Sequence, residues 1–76
     1  MIPNDQAERP RVPLPANTSR ITSIHDGTRW LRGVHPASIR HNPEHDTLTF
    51  LMDWSDGTVR RFTLAMRQVA GFQERA

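Results

Sequence analysis

The chain has no cysteine among its 76 residues. That excludes disulfide staples and thiolate metal sites, the usual reinforcements of a small core, and it leads us to expect a reducing, cytoplasmic setting. Tyrosine is absent, and so is lysine: all ten basic residues are arginine, against eight acidic ones, for a formal charge of +2. So mild an excess is not the footprint of an obligate nucleic-acid binder, although guanidinium groups suit planar, bidentate contacts. No apolar run approaches the ~20 residues of a membrane helix. The N-terminus also lacks a basic region followed by an apolar stretch, so neither a membrane-spanning nor a secreted protein is expected.

What is present fits one small domain, which would bury only ~60% of the surface its unfolded chain exposes. Residues 1–19 hold four of the six prolines (Pro3, Pro10, Pro13 and Pro15) and show no periodicity. Proline fixes φ and removes a donor, so Arg9 to Pro15 should form an extended, polyproline-like arm. Within it, Val12 and Leu14 are placed to lie on a partner or on the domain's own surface. Residues 20–76 read as a β-rich domain.

Arg20–His25 and Thr28–Val34 flank Asp26-Gly27, a dipeptide suited to the positive φ angles of a tight hairpin. His35-Pro36 interrupts, Ser38–His41 reads as a third strand, and Asn42–Asp46 is a loop by composition. Leu48–Trp54 and Thr58–Leu64 form a second hairpin whose register follows from its turn. A two-residue Asp56-Gly57 loop would oppose Trp54 to Val59 and Phe50 to Thr63, scattering the apolar residues. A three-residue loop with Gly57 left-handed, as in a G1 bulge, instead opposes Phe50 to Phe62, Leu48 to Leu64 and Met52 to Arg60. Leu48, Phe50, Met52, Trp54, Phe62 and Leu64 then share one face, while Thr49, Leu51, Asp53, Val59, Arg61 and Thr63 share the other. Burial selects the second register, because a one-residue slip reverses every side chain.

At the C-terminus, Ala65, Val69 and Phe72 are helically spaced and Gly71 suits a stop, which predicts one or two turns of helix. The expected architecture is mainly β: about five short antiparallel strands, as an SH3-like barrel or half-open sheet, with a short C-terminal helix and an extended N-terminal arm. The first hairpin fits no simple alternation, since neither register gathers Ile21, Ile24, Trp30 and Leu31.

The search for chemistry finds little. His41 and His45 have a zinc-ligand spacing beside Glu44 and Asp46, but Pro43 argues for a solvated loop rather than a helix. No G-x-S-x-G elbow frames a nucleophile, no glycine-rich loop suits a phosphate, and Asp53 and Asp56 read as a strand edge and a turn initiator. We therefore expect no catalysis, no metal and no cofactor.

Surface contacts fit better. Arg29-Trp30-Leu31-Arg32 alternates the residue types most enriched at interface hot spots, so these four, with Val12 and Leu14, are the expected protein-binding residues. The same edge strand could pair with a second copy. The alternative is a single-strand nucleic-acid face built from Arg40, Arg60, Arg61 and Arg67, with bases stacking on Trp30 or Trp54.

Pro36-x-x-Ile39, then Phe50-x-Met52-x-Trp54-Ser-Asp-Gly57, then Phe62-x-Leu64 and Arg67 resemble the small β-domain at the N-terminus of gamma-butyrobetaine hydroxylases and in related bacterial stand-alone domains. The likeness covers about thirty residues, from Pro36 to Arg67. Members of that family often bind zinc through cysteines and a histidine; this chain lacks the cysteines, so the zinc does not carry over. Met66 stands where the family has leucine, and the loop Asn42–Asp46 is longer. The resemblance implies a β-rich accessory module without catalysis. Together the readings point to a non-catalytic binding module, an adaptor or inhibitor of bacterial or phage type whose partner is another protein.

Overall fold

A computed structural model describes residues 12–75. Two three-stranded antiparallel sheets pack face to face around one core. The first has the order β2-β1-β6, built from β1 (Ile21–His25), β2 (Trp30–Arg32) and β6 (Gly71–Glu74); the second has the order β3-β4-β5, built from β3 (Arg40–Asn42), β4 (Thr47–Asp53) and β5 (Val59–Ala65). A 3-10 turn at Thr18–Arg20 leads into β1, those at Pro36–Ser38 and Met66–Gln68 lie on the connections between the sheets, and no described helix is long and apolar enough to cross a membrane.

The β4–β5 hairpin has the register that burial demands. Phe50 opposes Phe62, Leu48 opposes Leu64 and Met52 opposes Arg60. Gly57 adopts φ +87°, with its N–H donating to Trp54 O at 3.0 Å, and Trp54 N–H donates to Thr58 O at 2.7 Å. Leu48, Phe50 and Met52 are buried on the inner face, whereas Val59 on the outer face is half exposed.

The first hairpin differs from the tight Asp-Gly turn. His25 pairs with Trp30, so the loop holds four residues, Asp26 to Arg29. The Asp26 carboxylate organises it by accepting from Arg29 N–H at 2.9 Å and Thr28 N–H at 2.8 Å, which holds its pKa below the ordinary carboxyl value. The failed alternation has a cause: β1 carries an extra residue relative to β6 between Ile21 and Ser23. This bulge resets the pleat, so Ile21 and Ile24 both enter the core at a spacing of three.

The C-terminal helix is replaced by the 3-10 turn Met66–Gln68 and a sixth strand. Ala65 N–H is satisfied by Gln68 Oε1, Met66 and Val69 are buried, and the chain then leaves to pair with the free edge of β1. Strand pairing satisfies the backbone of both β1 and β6, which a helix at this place would leave unmatched on β1. Gly71 is not among the described glycines with positive φ. It ends no helix; it pairs with His25, and a Cβ there would lie 3.4 Å from Cη2 of Trp30.

Pro36–Ser38 splits what would otherwise be one long strand. Before it, the chain pairs with β1. After Gly33, at φ +84°, it crosses to β4: Asp53 N–H donates to Gly33 O at 3.0 Å and His35 N–H to Leu51 O at 2.9 Å, around an antiparallel bridge between Val34 and Met52. The Ser38 hydroxyl then repairs the interrupted ladder, donating to His35 O at 2.6 Å and accepting from Leu51 N–H at 2.8 Å. Of the proline-rich segment, Leu14 is half-buried against the core and Val12 is half-buried; the expected arm over residues 1–11 lies outside the described residues.

Candidate binding cleft

The crossover of the chain from one sheet to the other creates the site. Residues 30–32 follow β1 and residues 33–35 follow β4, so β2 and the end of β4 diverge. A cleft of about 250 Å³ opens between them, lined by Arg29, Trp30, Leu31 and Arg32 on one side and by Met52, Asp53, Trp54 and Ser55 on the other.

The residues differ in what they present. Leu31 is only 3% exposed, paired with Ile24 inside the core, so its expected place at a contact surface is corrected to a structural one. Trp30 is half-buried on the opposite face of the sheet, with its ring edge-on to His25 at 5.0 Å and reaching over Gly71. His25 Nδ1 accepts from Gly27 N–H at 3.1 Å, which fixes that imidazole on the loop. Arg29 and Arg32 are exposed.

On the far wall, Trp54 packs on Phe62 at 5.3 Å, and the Arg60 guanidinium lies 5.2 Å from the Trp54 ring centre. Arg60 also donates to Asp56 at 3.2 Å. The Asp56 carboxyl is held below its ordinary pKa, chiefly by the Thr58 hydroxyl and then by the Thr58 N–H. Asp53 is engaged by His35 Nε2 at 2.8 Å. The carboxylate of the cleft is thus occupied, while its two exposed arginines lie at the mouth.

Main-chain direction supplies a feature that side-chain reasoning missed. Asp26 N–H donates to Arg29 O at 3.0 Å, which makes His25–Trp30 a non-hydrogen-bonded pair of the ladder. Antiparallel pairing alternates, so Leu31 turns its N–H and C=O toward β1, whereas Trp30 and Arg32 turn theirs away, toward the open side. β2 is an edge strand of its sheet. The only trace of this in the sequence was the edge-strand reading of Arg29–Arg32.

The four arginines of the alternative face do not converge. Arg40 and Arg61 line one concavity of about 270 Å³ on the outer face of β3-β4-β5, beside Ser38, Thr49, Phe50 and Leu51. Arg60, adjacent to Arg61 on β5, points to the opposite face and covers Trp54. Arg67 lies on the 3-10 turn after β5. His41 reaches Asp46 at 3.5 Å, and among the described residues no three His, Cys, Asp or Glu side chains converge on a common point. In comparisons with protein-family models, curated proteins and solved structures, the chain finds no match.

Proposed function

We propose that the protein is a non-catalytic binding module that acts through protein–protein contacts, as an adaptor or inhibitor, with the cleft between β2 and the end of β4 as its contact surface. The observation that carries this reading is the meeting of Arg29, Trp30 and Arg32 with Trp54 across one open cleft. Tryptophan and arginine bordering one concave surface are the residue types most enriched among interface anchors. We infer an SH3-like arrangement of the strands: a hairpin opens the domain, a second hairpin turns at Gly57, and the last strand returns through a 3-10 turn to lie beside β1. The likeness to the N-terminal domain of gamma-butyrobetaine hydroxylases fits an accessory role of this kind.

A second reading, single-stranded nucleic-acid binding, draws on the concavity shared by Arg40 and Arg61. It is the weaker one, because Phe50, although it borders the concavity, is only 1% exposed, and Trp54 and Phe62 pack against the core rather than beside these cations. Stacking platforms are what such binders need.

The test is affinity capture from the native host with identification by mass spectrometry, using the intact chain and the exposed-residue variant Arg32→Glu. The expected result is a specific protein lost with Arg32→Glu while circular dichroism is unchanged. Oligonucleotide binding that weakens steeply with salt, and is abolished by Arg40→Ala with Arg61→Ala, would favour the second reading.

A further inference from the structure

We propose that the cleft takes an extended acidic segment of a partner protein, added as a strand to the edge of β2, with the pattern acidic–apolar–acidic. This rests on the reading of the cleft as a protein contact and states the chemistry of the partner.

Three observations converge. The main-chain N–H and C=O groups of Trp30 and Arg32 face away from β1, so an incoming strand meets two residues' worth of donors and acceptors in register. The pleat then decides the partner's side chains. A residue opposite Leu31 points inward, toward Met52 and Trp54, and is apolar; its two neighbours point outward, beside Trp30 and Arg32. At that outer position the charge is unbalanced. Asp53 is hydrogen-bonded to His35, Asp56 is paired with Arg60 and Asp26 lies in the field of Arg29, while Arg32 has no ion pair with a described residue. A carboxylate at the outward position of the added strand complements the Arg32 guanidinium. A second copy of the chain is the poorer occupant, because it would bring two further arginines of the same sign to the same mouth.

The probe is the peptide acetyl-Ser-Glu-Val-Glu-Ser-amide, titrated into isotopically labelled full-length protein and followed by amide NMR and hydrogen exchange. The expected result is slowed exchange at the Trp30 and Arg32 amides. Binding should weaken at least tenfold for Arg32→Glu, and at least tenfold when both glutamate amides of the peptide are N-methylated. The lysine counterpart of the peptide should not bind. Equal binding of the N-methylated or lysine peptide overturns strand addition, as does protection of the same two amides by self-association without peptide. Should Arg32→Glu abolish partner capture while no peptide protects these amides, the acidic-strand proposal fails and the contact reading stands. Peptide binding that leaves β2 untouched and survives Arg32→Glu overturns both.

Discussion

Phe50 and Phe62 face each other across the β4–β5 ladder with ring centres 6.0 Å apart and planes inclined by 15°. The pair marks the centre of the core, but its members are unequal: Phe50 is 1% exposed, whereas Phe62 is half-buried. Phe50→Ala should cost about 3–5 kcal/mol, the range of aromatic truncation in a core. That is comparable to the whole stability of a small domain, so urea denaturation should find the variant largely unfolded. Phe62→Ala should lose less and still show a cooperative transition; equal losses would contradict the assignment of interior and rim.

Two turn glycines separate backbone strain from crowding. Gly57 has φ +87° with open space where a Cβ would go, so Gly57→Ala should cost about 1 kcal/mol from the backbone alone. At Gly27, φ +95°, the added Cβ would sit 2.9 Å from the carbonyl oxygen of Gln68. Gly27→Ala must move backbone as well, and its denaturation midpoint should lie clearly below that of Gly57→Ala.

Ser38 bridges the gap left by the Pro36–Ser38 turn. Ser38→Ala strips a donor from His35 O and an acceptor from Leu51 N–H in a partly buried setting, at a cost of about 1–3 kcal/mol. Hydrogen exchange at Leu51 should accelerate more than at Leu48, whose ladder is intact. Uniform acceleration would contradict the bridging role.

Acid should loosen both hairpin turns. Asp26 is held below the ordinary carboxyl range by the Arg29 and Thr28 N–H groups, and Asp56 by the Thr58 hydroxyl and N–H. A group whose pKa is lower folded than unfolded stabilises the fold above its unfolded value of about 3.9, and that contribution fades as pH falls through the folded value. The melting temperature should therefore fall as the pH drops below about 4. Asp26→Asn keeps the acceptor oxygen but not the charge, and should flatten that slope; an unchanged slope would remove Asp26 from the account.

The second hairpin was legible because two independent signals agreed. The alternation from Leu48 to Leu64 and the need for a left-handed Gly57 chose the same register. The first hairpin was not, because a bulge has no compositional signature: Thr22 looks like any strand residue, yet the extra position there puts Ile21 and Ile24 on one side. The C-terminus misled for a related reason. Ala65, Val69 and Phe72 suit a helical period, but a 3-10 turn followed by a strand buries Met66 and Val69 and satisfies β1 at the same time. Of the expected contact residues, Arg29, Trp30 and Arg32 do line one cleft, while the inward turn of Leu31 required the pairing with Ile24 to be known.

The stretch from Trp30 to Asn42 stitches first to β1 and then to β4, with Gly33 as the point where the thread changes cloth. Neither half of the molecule owns all of its own hydrogen bonds. Cutting the chain within this seam should leave two fragments that stay unstructured apart and regain order only when mixed.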